Sequence, residues 1–178
     1  MAVTPSVPST TNIALGEGKV YFNYGESGQA EVGATRGGSN FVVEREIKEV
    51  AYDGAYGPTK GLRRKTKVVP SLKIKALEIN YTNLAKYFAG LSSVDSGAYH
   101  TITESVDIAS GDYLTNVAFV GERLDGKYII CIVKNALGDG NIEFAFEEKE
   151  EIVPEVQFTG HYDSSTPTTV PYEIRTED

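Results

Sequence analysis

The chain has 178 residues, a length that suits one domain, or one domain with arms, and is long enough to bury a core. Its 40% hydrophobic and 24% charged residues argue against wholesale disorder, and 11 Tyr with 7 Phe and no Trp favour strands. A formal net charge of -8 repels nucleic acid instead of adhering to it.

Residues 1–12 hold Pro5, Pro8 and Ser9-Thr10-Thr11 and read as a flexible N-terminal arm. The stretch 13–24 carries the first strand, with Val20 and Phe22 on one parity and Lys19, Tyr21 and Asn23 on the other. Residues 25–33 turn into 40–52, which alternates again. There Phe41, Val43, Ile47 and Ala51 share one parity, with Arg45 and Glu49 as exceptions, and Glu44, Glu46 and Lys48 fall on the other. Gly54, Gly57, Gly61 and Pro58 then crowd 53–61, and no regular element tolerates that density. The chain returns through 62–69 and 71–79, the latter with Leu72, Ile74 and Ala76 against Lys73 and Lys75. The pattern predicts a strand, a protruding loop over about 53–70, and a strand coming back.

After residue 79 the period changes. Asn80-Tyr81-Thr82-Asn83 offers helix caps, and Leu84, Ala85, Tyr87, Phe88 and Leu91 recur at helical spacing, so a short helix is expected over 82–89 or a little longer. Residues 92–97 read as a polar loop. Then 99–109 alternates, with Ile102, Val106 and Ile108 against Thr101, Thr103, Ser105 and Asp107. A strand over 114–122 leads into Leu124-Asp125-Gly126-Lys127, where Asp-Gly suits the positive φ of a hairpin turn. The return, 128–134, is apolar on both parities except at its ends and reads as an interior strand covered on both faces. Ile142, Phe144 and Phe146 alternate with Glu143 and Glu147, predicting a further strand, whereas 147–151 is nearly all charge and exposed. The stretch 153–162 closes the sheet, with Val156 and Phe158 inward, and 163–178 is expected to form a C-terminal arm. The expectation is a mainly β domain over 13–162, with about eight strands and one helix.

Chemistry-bearing constellations do not emerge. His100 and His161 lie far apart in sequence and outside metal-ligand spacings, and His161 reads as a hydrogen-bonded histidine at a strand end. Cys131 is the one cysteine and sits in an apolar run, which predicts a buried core position and excludes a disulfide within the chain. No G-x-S-x-G, Walker or dinucleotide pattern occurs, and no helix follows Gly33, Gly37 and Gly38 to cradle a phosphate. Accordingly no catalytic residue, metal or cofactor is expected, and an enzyme is not the reading. Arg63-Arg64-Lys65 with Lys67 is the one basic cluster, and in an acidic chain it suits an acidic partner surface, including a second copy. No apolar run approaches the roughly 18 residues of a membrane helix. The first residues lack a secretory pattern, so a cytoplasmic chain with no membrane partner is expected.

Several motifs carry a resemblance. Thr35-Arg36-Gly37-Gly38-Ser39 before the charged strand, Asp53-Gly54, and Gly57 through Lys60-Gly61 resemble the major tail tube proteins of long-tailed bacteriophages. In order after them, Tyr113-Leu114-Thr115-Asn116-Val117, the turn at Leu124 through Asn135-Ala136-Leu137, Phe158-Thr159-Gly160-His161-Tyr162-Asp163 and Pro171-Tyr172-Glu173-Ile174 are similar to segments of that family. The resemblance implies two packed antiparallel sheets flanked by one short helix. It implies stacked hexameric rings, with inner sheets joined into one barrel, forming the conduit for genome ejection. Implied partners are further copies of the chain, the tape measure, distal tail and tail terminator proteins, and viral DNA passing without specific binding. The implied location is the virion tail, assembled in the host cytoplasm. The chain ends before the immunoglobulin-like domain that some relatives carry, so a decorated tail exterior is not expected of it. A tube protein of a bacterial secretion or contractile injection system shares the implied fold and is the alternative. On this reading Tyr56, Pro58, Lys60, Arg63, Arg64 and Lys65 form an intersubunit loop. Glu44, Glu46, Lys48, Thr101, Thr103, Ser105 and Asp107 are the candidates to face the lumen, where a wall attractive to phosphate would slow ejection.

Overall fold

The computed structural model describes residues 13–178. Among these the protein is mainly β, with two antiparallel sheets and one short helix. The strands are β1 (Ala14–Phe22), β2 (Ala30–Glu31), β3 (Asn40–Glu49), β4 (Arg63–Lys75), β5 (Leu91–Asp95), β6 (His100–Glu104), β7 (Leu114–Arg123), β8 (Tyr128–Gly138), β9 (Glu155–Gly160) and β10 (Tyr172–Thr176). The helix, α1, is Tyr81–Tyr87. The large sheet has the order β2-β1-β7-β8-β9-β4-β3, with β10 also on β8, and β5–β6 is a separate hairpin.

β8 is where the large sheet folds over. Its first part, up to Val133, pairs with β10, and Ala136, Leu137 and Gly138 pair with β9. Between them Asn135 takes a φ of 45°, a left-handed conformation that Asn tolerates better than most residues. The Asn135 side-chain amide donates to the His161 carbonyl at 3.1 Å and holds the bend. Residues far apart in the strand order therefore meet. Phe22 on β1 and Phe158 on β9 pack edge to face, with ring centroids 6.0 Å apart, and Phe41 on β3 lies 6.2 Å from Tyr172 on β10. Both geometries fall within the range favoured by aromatic pairs.

The core between the layers is built by alternation. Val20 and Phe22, Leu72 and Ile74, and Val156 and Phe158 are buried, while the residues between them are less so. The expected parities of β1, β4 and β9 are thus the observed ones. α1 starts at Asn80, whose side chain accepts a hydrogen bond from the Asn83 amide at 2.8 Å, a standard N-cap. It delivers Tyr87 and, just past its end, Phe88 into the core. The Tyr87 hydroxyl donates to the carbonyls of Val32 and Glu78, and burial pushes its pKa up to about 12.

Several sequence expectations need correction. The helix ends at Tyr87, because Phe88 is already extended and turns inward. The return strand β4 is continuous through Pro70, and pairing with β9 begins only at Ser71, so the proline lies past the end of that ladder. Of 99–109 only His100–Glu104 is strand: its partner β5 begins at Leu91, opposite Glu104, and beyond that point Val106 is 101% exposed and Ile108 is exposed. That partner, β5, lies in the stretch read as a loop. Residues 142–146 form no strand, and Phe146 is 79% exposed. The segment 163–178 is no free arm over its length, since β10 pairs along β8 from Tyr172 to Thr176. Cys131 is half-buried, not fully buried, with its thiol pKa raised by desolvation. Ile129 and Ile130 are likewise half-buried, so the start of β8 is less enclosed than its composition suggests. The expected arm over 1–12 lies outside the described residues.

Candidate functional site

The β3–β4 hairpin outgrows the body of the protein. On β4, Leu72 and Ile74 face the core, Val68 is buried at its margin, and Arg63 through Lys67 are all exposed. Opposite them Glu44 through Lys48 are exposed as well. An extra residue at Thr66 interrupts the register between Glu46 and Ile47, and its hydroxyl donates to the Glu46 carbonyl at 3.4 Å. Such a bulge adds local twist to the ribbon where it leaves the core. Beyond the strands, the tip is held by turns of its own. The Val50 amide donates to the Leu62 carbonyl at 2.9 Å, Ala55 to Tyr52 at 3.2 Å, and Leu62 to Thr59 at 3.2 Å.

Large apolar groups ride on this ribbon without cover. Ile47, Val50 and Tyr52 are exposed, and Tyr56 reaches 108%. Among the loop residues predicted to contact another subunit, Tyr56, Pro58 and Lys60 lie in the tip, and Arg63, Arg64 and Lys65 begin β4. Arg63 lies 3.9 Å from Glu49, whereas Lys60, Arg64 and Lys65 form no ion pair among the described residues. Exposed pairs of this kind contribute about 0–1 kcal/mol, so the basic tip is not neutralised by its own strand.

The candidate lumen residues fall on two different sheets. Glu44 and Glu46 lie on β3 around the Lys67 ammonium, at 3.9 and 3.6 Å, and Lys48 lies further out on the same parity. Thr101 and Thr103 belong to the β5–β6 hairpin, where the Thr103 hydroxyl is 3.2 Å from that of Ser92. Ser105 and Asp107 follow the strand, joined by a 3.3 Å bond from the Asp107 amide to the Ser105 hydroxyl. All are exposed, but they form two groups and not one wall.

Two further surfaces expose apolar side chains that the sequence reading did not single out as surface groups. One is the β5–β6 hairpin with its flank, where Val94, Tyr99, Val106 and Ile108 are exposed and Tyr81 of α1 stacks on His100 at 3.7 Å. The other is the irregular segment 139–154, with Ile142 and Phe146 exposed among carboxylates. Arg36 pairs with Glu151 and anchors this segment to the 33–38 turn. Open strand edges add to the picture: β3 ends the strand order, and β10 has only β8 as a neighbour among the described residues. Unpaired edges invite another strand.

His161 follows β9 directly, with its Nδ1 3.0 Å from the Thr159 carbonyl and its ring against the edge of Tyr113. Among the described residues no group of three or more His, Cys, Asp or Glu is placed to hold a metal ion. No helix among them is long and apolar enough to cross a membrane. No protein-family model matches the chain, and no curated protein is significantly similar to it in sequence.

Proposed function

We propose that the chain is a structural virion protein, a major tail tube subunit that polymerises as stacked hexameric rings and forms the conduit for genome ejection. The observation that carries this reading is the set of uncovered apolar side chains on three separate stretches, at Ile47, Val50, Tyr52 and Tyr56, at Val94, Tyr99 and Val106, and at Ile142 and Phe146. Isolated soluble domains seldom leave such groups clustered on projecting ribbons, and contact with other copies would bury them. The edges of β3 and β10 that have no partner strand among the described residues fit the same reading, because ring closure between copies removes bare edges. The motif resemblance supplies the identity of the assembly. In this reading Glu44, Glu46 and Lys48, or Thr101, Thr103, Ser105 and Asp107, line the lumen and present no net attraction to phosphate. The partners are the tape measure, distal tail and tail terminator proteins, and the assembled protein belongs to the virion tail. Electron microscopy of the concentrated protein tests the proposal, with rings or tubes expected. A species that stays monomeric by sedimentation at every attainable concentration overturns it.

A further inference from the structure

The hairpin tip and the acidic segment stand at opposite ends of one strand. β4 is 13 residues long and begins at Arg63, next to the tip. It ends at Lys75, paired with Glu155, and there the segment 139–154 emerges. With a rise of about 3.3 Å per residue the two ends lie roughly 40 Å apart. Their charges are opposite. The tip carries Lys48, Lys60, Arg63, Arg64 and Lys65 against Glu49 and Asp53. The far segment carries Asp139, Glu143, Glu147, Glu148, Glu150, Glu151 and Glu155 against Lys149. Each end also exposes apolar groups, Val50, Tyr52 and Tyr56 at the tip and Ile142 and Phe146 at the segment. A groove of about 600 Å3 opens at this end, walled by Asp139, Glu143, Ala145 and Val153 and floored by Lys73 and Lys75, with Lys73 engaged by Glu155 at 3.7 Å.

We infer that the acidic segment 139–155 of one copy is the seat for the basic hairpin tip of the next copy along the tube axis. This rests on the tube reading and names the surface that joins one ring to the next. The tip is carried by β3 and β4 and the segment by β8 and β9, and β9 meets β4 only at its far end, so the two surfaces do not meet within one chain. Contact between them is head to tail, and a heterologous contact of that kind propagates into an open polymer when its rotation closes no ring. Arginine and lysine meet carboxylates at the rim, while Tyr52 and Tyr56 cover Ile142 and Phe146. The alternation of Ile142, Phe144 and Phe146 has a physical reason in this arrangement. Among the described residues no backbone hydrogen bond joins 141–146 to the rest of the chain, and a neighbouring ribbon supplies partners.

The test mixes 15N-labelled and unlabelled protein under assembling conditions and couples amines to carboxylates with a carbodiimide. Expected products join Lys60 or Lys65 of one isotope to Glu147, Glu148 or Glu150 of the other. Two charge-reversed variants complete it, R63E/R64E/K65E and E147K/E148K/E150K. All six positions are exposed, and unchanged circular dichroism establishes that each variant folds. Each alone loses at least about tenfold in assembled mass by light scattering, and an equimolar mixture recovers it because every tip again faces a seat of opposite charge. Wild-type tubes whose tip links map elsewhere, or links from the segment only to residues 1–12 of its own chain, overturn the seat and leave the tube reading standing. Failure of the mixture to recover also overturns the seat. Wild-type protein that never assembles overturns both.

Discussion

Replacing residues 50–62 by Asn-Gly removes the hairpin tip while keeping the Glu49–Arg63 register, since a two-residue turn of that sequence closes an antiparallel ribbon. The replacement deletes three backbone turn bonds, Val50 to Leu62, Ala55 to Tyr52 and Leu62 to Thr59. Exposed to water, each contributes at most about 1 kcal/mol. Shortening the loop lowers its closure cost by about 1.7 kcal/mol from the logarithmic length dependence. No buried apolar side chain is lost, because the thirteen core residues that pack together among the described residues all lie outside 50–62. The terms nearly cancel, and stability is expected to stay within about 2 kcal/mol of wild type, a shift of a few degrees in Tm for a protein of this size. Assembly into tubes is expected to disappear. Urea titration followed by tyrosine fluorescence measures the first quantity and light scattering the second. A loss above about 3 kcal/mol means that the ribbon tip supports the fold, and tubes of normal yield mean that it is not a contact; either result overturns the assignment of the tip as a contact separate from the core.

A Cβ at Gly138 stands 2.0 Å from the Tyr87 carbonyl oxygen and 2.6 Å from its carbon, both backbone, so Gly138→Ala forces α1 off the end of β8. It also strains the 2.7 Å bond from the Ala89 amide to the Gly138 carbonyl, and a loss of about 2–4 kcal/mol is expected by urea titration, against no loss for Gly57→Ala, which meets nothing within 4 Å. Phe158→Ala removes a fully buried ring that packs on Phe22 across the layers, and costs about 3–5 kcal/mol by the same measurement. Glu173 on β10 accepts from Arg175 at 2.8 Å and meets Lys134 of β8 at 2.9 Å, which holds its pKa down to about 2 from an ordinary 4.5. The depressed value means that its contribution is present above pH ~4.5 and lost as pH falls through ~2; with a side chain 36% exposed it amounts to at most about 1 kcal/mol, so Glu173→Gln lowers the urea midpoint slightly at pH 7 and not at pH 2.

Where one face of a strand is buried and the other wet, the pattern was readable. Val20 with Phe22, and Val156 with Phe158, alternate because the core lies on one side only. The β7–β8 hairpin was readable for a different reason: Gly126 takes a φ of 77°, which the Asp-Gly pair anticipates. The reading fails at Ile142 to Phe146, because alternation reports that two faces differ and not that a neighbouring strand exists within the chain. β5 escapes notice because Ser92, Ser93 and Asp95 leave Leu91 and Val94 as its only apolar residues. β10 is masked by the Ser, Thr and Pro of 163–169 that precede it, although Tyr172 and Ile174 alternate. At the candidate site, the glycines and Pro58 announce an exposed tip. The length of β4, which places that tip and the acidic segment at opposite ends, depends on long-range pairing with β3 and β9 that local patterning does not contain.

The charge distribution sets a last expectation, on salt. A copy carrying -8 repels another copy as a whole, yet its tip and its acidic segment attract at contact. The two forces have different ranges. At about 0.01 M salt the screening length is about 30 Å, comparable to the molecule, and net repulsion holds copies apart. At about 0.15 M it falls to about 8 Å, which hides the distant charges but spares ions that touch. At about 1 M it is about 3 Å, and even the tip contact weakens. Assembly is therefore expected to pass through a maximum at intermediate potassium chloride, read as scattered light across a salt series at fixed protein concentration. In the R63E/R64E/K65E variant the attraction is gone and every contact is like-charged, so the maximum vanishes and scattering rises only with screening. A wild-type response that climbs steadily to about 1 M salt means that apolar contacts at Tyr52, Tyr56, Ile142 and Phe146 dominate and the opposite charges merely accompany them.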